Sequence, residues 1–395
     1  MRILTYCDED LGVAAGGSRQ VLEFTKALAL RGHDVCVVAP QPERITTGIS
    51  VTPRVQIHFV PVMRWGGFRP LSFLMNSKQA LIMLLHKQCP DVVLWFDSPG
   101  QIAPLLALQG TSCPIVYFVN GLPNEEVRGI WRIPPLLALL GFGFHLAIKK
   151  ATAIVSVCPE LLDSLRSRVS VDSSKLVVIK NGVDPIHFSP LPEKLARRKL
   201  GLPEQGPYIG FVGGFFPWHG LDTLVEAIAI VAKSYPTMCC LLVGDGVMKP
   251  TLEAQVRRLR LSRSIHFVGR ADFSEVPQWI AAFDICVVLH RQTRSYPGDS
   301  MKLWEYLACG RPVVATAGPG YGDTVSDLGC GLSVRADDPG DLARQIIALL
   351  DSAELRKNMG QRGRSAVVRG HTWSARAAQL EQVCQQVIEQ TALAA

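Results

Sequence analysis

Ser300, Lys302 and Glu305 stand close together in one run, Ser300-Met301-Lys302-Leu303-Trp304-Glu305-Tyr306-Leu307-Ala308-Cys309-Gly310. Its residue types predict a short helix that Gly310 ends, with a buried strand over 311–316 directly behind it. A helix N-terminus exposes backbone N–H groups without intrahelical partners and a partial positive charge, so phosphate docks there readily. Lys302 adds a full charge. Glu305 lies three residues further on and therefore on the same face. A carboxylate beside a phosphate is badly placed to bind it. It is well placed to accept hydrogen bonds from the hydroxyls of a sugar that the phosphate carries. The run has the chemistry of a nucleotide-sugar site, with Asp299, Ser300, Met301 and Leu303 as its donor-binding surroundings.

Two glycine-rich turns would face that site. Gly12-Val13-Ala14-Ala15-Gly16-Gly17-Ser18 follows the first expected strand and opens a helix; Gly213-Gly214-Phe215-Phe216-Pro217-Trp218-His219-Gly220 does the same in the second half. Paired glycines let backbone approach a ligand closely and point N–H groups at an anion. Neither turn has the GxGxxG spacing of a dinucleotide fold or the GK[ST] of a P-loop. His219, beside Trp218 and just before a helix, would donate a hydrogen bond to a phosphate oxygen. Arg270, after Gly269, either flanks a nucleobase or is an ordinary surface arginine. Val243-Gly244-Asp245-Gly246 reads as a tight turn, and Trp373 as packing.

The elements that must hold these residues follow from length and pattern. At 395 residues the chain suits two domains, and 48% hydrophobic against 19% charged residues implies a large interior and no long disorder. β-branched runs over 2–7, 34–39, 56–60, 92–96, 115–119, 153–157 and 176–179 alternate with helical stretches near 18–30, 71–87, 136–149 and 160–168. After a proline-rich passage the alternation restarts at 208–212, 239–243, 264–268, 285–289 and 312–316, with helices near 221–233, 248–261 and 277–282 and from 341 onward. Two doubly wound parallel-sheet units are expected, with ligands beyond the carboxyl ends of the strands and in the cleft between the units.

The formal charge of +7, without Lys/Arg runs, speaks against nucleic acid and for small anions or an acidic membrane surface. Eleven cysteines without a CxxC pair suggest reduced thiols in a cytoplasmic protein, and the strand at residue 2 leaves no room for a signal peptide. The apolar stretch 130–148 is flanked by Arg128, Arg132, Lys149 and Lys150 and is interrupted by Pro134-Pro135. It is too short to span a bilayer; it reads as a buried helix, or as a peripheral contact of the 130–150 segment with an inner membrane surface.

Lys180-Asn181-Gly182-Val183-Asp184 through Phe188 and Pro190 resembles a signature of the retaining glycosyltransferases of family GT4. So do the first glycine-rich turn, Arg31-Gly32-His33-Asp34-Val35, Val243-Gly244-Asp245-Gly246 and the Lys302–Glu305 run with Gly310-Arg311-Pro312-Val313-Val314. The resemblance runs nearly end to end, and Trp218-His219-Gly220 is similar to one of its sub-patterns. It implies the α/β GT-B architecture: an acceptor-binding Rossmann-like domain over 1–183, a linker over 184–206, a nucleotide-sugar domain over 207–372, and a C-terminal helix over 373–395 that crosses back to the first domain.

The resemblance also implies residue roles. Glu305 would hold the ribose hydroxyls; Ser300 and Met301 would offer N–H groups to the diphosphate; Gly16 and Gly17 would lie against phosphate and sugar. Lys302, His219, Glu305 and Asn120 are the catalytic candidates, with Gly213, Gly214, Trp218, Gly269, Arg270, Asp299 and Leu303 as further donor contacts. Three positions depart from the family. Pro297 stands where many members carry a second glutamate, Gly214 where many carry arginine, and Asn120 where others place a histidine. These departures bear on the donor sugar more than on the reaction.

No carboxylate is placed as a nucleophile for double displacement, so front-face displacement is expected, with the leaving phosphate taking the acceptor's proton. Without a DxD pair, activity should need neither metal nor cofactor, the nucleotide-diphosphate sugar being a substrate. The acceptor would be a glycan, a lipid-linked glycan of the cell-surface polysaccharide kind, or a small molecule, chosen by the first half, including 48–72. A nucleotide-sugar epimerase or hydrolase, or a silent binding subunit, are the competing readings.

Overall fold

A computed structural model of the chain describes all residues except 14, 44–51, 64–68, 97–101, 123–133, 292–295, 297 and 395. Pro297, parts of 48–72 (48–51 and 64–68) and the beginning of the 130–148 stretch therefore lie outside the described residues. The chain forms two compact units, Met1–Asn181 with Trp373–Ala395, and Gly182–Thr372.

The first unit holds a seven-stranded parallel sheet of β1 (Arg2–Tyr6), β2 (Asp34–Pro40), β3 (Val55–Val60), β4 (Val92–Phe96), β5 (Ile115–Val119), β6 (Ala153–Ser156) and β7 (Leu176–Val178), in the order β3-β2-β1-β4-β5-β6-β7. Every residue of β4 and β5 is buried, as continuous apolar runs such as Val92-Val93-Leu94-Trp95-Phe96 require when helices cover both faces. The helix Trp373–Ala394 packs on the helix Gly16–Leu30: the Trp373 ring meets Phe24 edge-on at 5.2 Å, and Glu381 accepts from Arg31 and from His33 Nε2, the latter at 2.9 Å.

The second unit holds six parallel strands, β8 (Tyr208–Val212), β9 (Cys239–Val243), β10 (Ile265–Gly269), β11 (Ile285–Val288), β12 (Val313–Thr316) and β13 (Gly331–Val334), in the order β10-β9-β8-β11-β12-β13. The order reverses between β8 and β11. At such a switch point the connections leave in opposite directions and open a crevice beyond the strand ends. The proline-rich passage folds onto this unit. Phe188 is buried against Phe273, and the helix Glu193–Lys199 buries Arg197, whose guanidinium donates to Ala282 O at 2.9 Å and to Asp284 at 2.8 Å.

The helix expected near 136–149 runs over Pro134–Lys150, with Pro134-Pro135 in its first turn, where the N–H groups have no intrahelical acceptor to lose. β13 was not expected from Gly331-Leu332-Ser333-Val334, which has no β-branched run. Gly331 makes it possible, since a Cβ there would overlap the carbonyl of Val313 on the neighbouring strand.

Candidate active site

In the second unit the expected residues gather at the carboxyl end of β8. The helix Met301–Ala308 starts behind Ser300, whose backbone is extended (φ −81°, ψ 115°) and whose side chain caps no helical N–H. Tyr306, one turn beyond Lys302, ties this helix to the strand: Val212 N–H donates to Tyr306 Oη at 2.7 Å. The tie aims Lys302 at the glycine-rich turn. A Cβ on Gly213 would lie 3.3 Å from Lys302 Nζ, and the φ of +143° at Gly213 suits glycine alone. The lysine thus occupies space beside a turn that lacks a side chain.

Lys302 Nζ lies 4.8 Å from the centroid of the buried Phe211 ring and 3.1 Å from His219 Nε2. His219 Nδ1 donates to the carbonyl of Gly214 at 2.6 Å, since a carbonyl can only accept. Burial lowers the Lys302 ammonium to about 8, and the negative charge of Glu305 only partly opposes this. Lys302 and Glu305 are both half-buried on the same helix.

The turn is held from below and from the side. Gly244 has φ +140°, and a Cβ there would overlap the carbonyl of Gly213; Phe215 N–H donates to Asp245 O at 2.9 Å. Val243-Gly244-Asp245-Gly246 is therefore the tight turn expected, packed under the glycine-rich loop. Trp218 stacks on Phe216 (4.8 Å, 9°), and its carbonyl accepts from Arg291 N–H at 2.9 Å. The Arg291 guanidinium bridges Asp222 and Asp337, both at 2.7 Å. Sequence reading missed Arg291. Its signal was its position just past the carboxyl end of β11, next to the switch point.

Three expected donor contacts have structural occupations. Leu303 has a fully buried side chain, and its N–H donates to Ser300 O at 3.1 Å. Asp299 Oδ1 accepts from Trp304 Nε1 at 3.2 Å, which fixes the entry to the helix. Arg270, beside Gly269, is exposed and lies 3.8 Å from Asp245.

In the first unit, Gly16 and Gly17 open the helix Gly16–Leu30, and the Glu9 side chain occupies the space a Cβ on Gly17 would need. Asn120 Nδ2 donates to Gln20 Oε1 at 2.6 Å, and Gln20 Nε2 donates to Asn181 Oδ1 at 2.9 Å. Neither Glu9 nor Gln20 belongs to a recognisable motif, so only the fold brings them to these positions. Among the described residues, no three His, Cys, Asp or Glu side chains group as a metal site.

Two family models match the chain in tandem: Glycosyltransferase Family 4 over 14–186 and Glycosyl transferases group 1 over 192–366. The chain is 27% identical over 317 residues to an uncharacterized glycosyltransferase of Methanocaldococcus jannaschii, covering 78% of this chain and 79% of that one. It is 25% identical over 361 residues to N-acetyl-alpha-D-glucosaminyl L-malate synthase of Bacillus anthracis, covering 90% of each. Among solved structures, sucrose-phosphate synthase of Thermosynechococcus elongatus shares the fold with a TM-score of 0.81 at 21% identity, over 98% of this chain and 99% of that one.

Proposed function

This chain is a glycosyltransferase with the GT-B fold, and we propose that it transfers a sugar from a nucleotide-diphosphate sugar with retention of anomeric configuration. The observation that carries this reading is the Lys302–His219 pair beside the first turn of the helix Met301–Ala308, with Glu305 one turn on. Two nitrogen bases and helix N–H groups serve a diphosphate; the carboxylate serves the ribose hydroxyls. The acceptor oxygen attacks the anomeric carbon on the face from which the diphosphate leaves. The bond from that carbon to the phosphate oxygen breaks, and the departing oxygen takes the acceptor's proton. The protein's part is to hold fixed donors toward the developing charge, worth about 3 kcal/mol each.

The acceptor is a glycan, a lipid-linked precursor of a cell-surface polysaccharide, or a small molecule. Turnover is tested across UDP-, GDP-, ADP- and TDP-sugars. One donor is expected to be slowly hydrolysed without acceptor, undiminished by EDTA and, at donor concentrations below KM, reduced to background by Glu305→Ala. A metal requirement would refute the cationic mechanism, and indifference to all donors would refute the transferase site.

The enzyme works at the cytoplasmic side of a membrane in this proposal. The helix Pro134–Lys150 exposes Phe142 and Leu146 one turn apart, with Lys149 and Lys150 beyond them. Among the described residues no helix is long and apolar enough to cross a bilayer. Flotation with anionic vesicles, lost on joint Lys149→Glu and Lys150→Glu substitution, is the expected result; equal flotation of both proteins would dismiss the contact.

A further inference from the structure

The geometry of Lys302 and His219 constrains how many protons the pair can hold. His219 Nδ1 carries a hydrogen, because it lies 2.6 Å from the Gly214 carbonyl. Its other nitrogen, Nε2, lies 3.1 Å from Lys302 Nζ. Two nitrogens at that distance share one hydrogen; a second would set donor against donor. A lysine ammonium donating to imidazole, or an imidazolium donating to amine, gives the pair one positive charge, and below a pH of about 8, where Lys302 keeps its proton, that is its charge in the ligand-free enzyme.

The surroundings keep it at one. The Phe211 ring lies under Nζ, and burial disfavours the charged lysine. Glu305 is the charged group on the same helix that favours protonation. Among the described residues, the charged side chains nearby have partners of their own: Asp299 holds Trp304, Arg291 holds Asp222 and Asp337, and Asp245 holds the Gly246 N–H at 2.8 Å and faces Arg270.

A nucleotide-sugar diphosphate brings two negative charges and several acceptor oxygens. We propose that donor binding separates Lys302 from His219 and takes up one proton from solvent, so that ammonium and imidazolium each donate to their own phosphate oxygen. This rests on the reading of the site as a donor site. The balance is one diphosphate ester and one solvent proton bound per enzyme, with no other bond made or broken. The doubly protonated form is the one that binds. Affinity therefore falls as pH rises, by up to about tenfold per pH unit where a full proton is linked. The mobile charge also gives the enzyme a way to release product, since loss of the proton returns the pair to its mutual hydrogen bond.

The test is calorimetric titration of the full chain with UDP-, GDP-, ADP- and TDP-sugars near neutral pH, repeated in buffers of different ionisation enthalpy. These diphosphate diesters exchange no proton of their own near neutrality, so the slope of heat against buffer enthalpy counts the protein's protons. Uptake of about one proton by the wild type is expected, falling toward zero in His219→Gln. Binding without uptake, or equal uptake in His219→Gln, overturns the proposal and leaves the donor site standing. Binding of no donor overturns the site and the proposal together. Nitrogen NMR of wild-type His219 provides a second readout without a variant. An imidazolium ring with donor bound supports the proposal; a neutral ring with donor bound overturns it.

Discussion

Lys302→Met is expected to lower kcat/KM by about 10²–10³-fold, with most of the loss in kcat. Nζ is the full positive charge that the fold sets beside the side-chain-free Gly213, at the end of β8. The diphosphate gains charge as the bond to the sugar breaks, so the ammonium matters more in the transition state than in the bound ground state. Methionine keeps an unbranched apolar side chain and removes the ammonium that lies over the Phe211 ring, so the comparison isolates the charge. A kcat within threefold of wild type, in a folded variant, would remove Lys302 from the chemistry.

The same substitution has a stability signature with a definite sign. Lys302 sits at about 8 in the folded protein against an ordinary 10.5. The unfolded chain therefore holds this proton over a pH range in which the folded chain has released it. Wild-type stability attributable to this group rises with pH between those two values and is lowest below about 8. The methionine variant should gain in Tm over wild type below pH 8, and the gain should shrink as pH rises toward 10.5. A variant that melts lower at neutral pH would show that the half-buried ammonium stabilises the fold.

Glu305→Ala should cost as much in kcat/KM, about 10²–10³-fold, but through KM. Its carboxylate is proposed to accept from two ribose hydroxyls, and hydrogen bonds to a charged acceptor are worth about 1.5–3 kcal/mol each. The ribose is remote from the reacting carbon and its bonds are alike in ground and transition states, which is why affinity and not kcat should change. Glu305→Gln keeps one acceptor oxygen and should fall between. Steady-state kinetics on the donor identified by the panel decides the matter: an unchanged KM with a collapsed kcat would move Glu305 from the nucleoside to the reaction centre.

Much of this site was legible because its parts are local. Helix-forming residues behind an extended Ser300, a glycine stop at Gly310 and a basic and an acidic side chain three apart imply a helix with an anion end and a hydroxyl-binding flank. The two sheets were legible for the same reason: Val92–Phe96 and Val313–Thr316 are continuous apolar runs between helical stretches, and only a parallel sheet covered on both faces buries them. Leu303 shows what local reading leaves out: its side chain lies in the core and its N–H is satisfied within a tight first turn.

By itself, then, the sequence determined the two α/β units, the position of the helix Met301–Ala308 proposed to bind the diphosphate and the chemical types available to it, because period and turn residues act over a few positions. Tertiary structure alone decided which distant groups meet. His219 and Lys302 are 83 residues apart, and their pairing depends on β8 lying beside β11 and on Tyr306 fastening the helix to Val212. Arg291 reaches Asp222 and Asp337 across comparable separations, and Gln20 joins Asn120 to Asn181. Such contacts leave no periodic trace in the chain. They arise from strand order and close packing, and it is there that the protonation of the site is set.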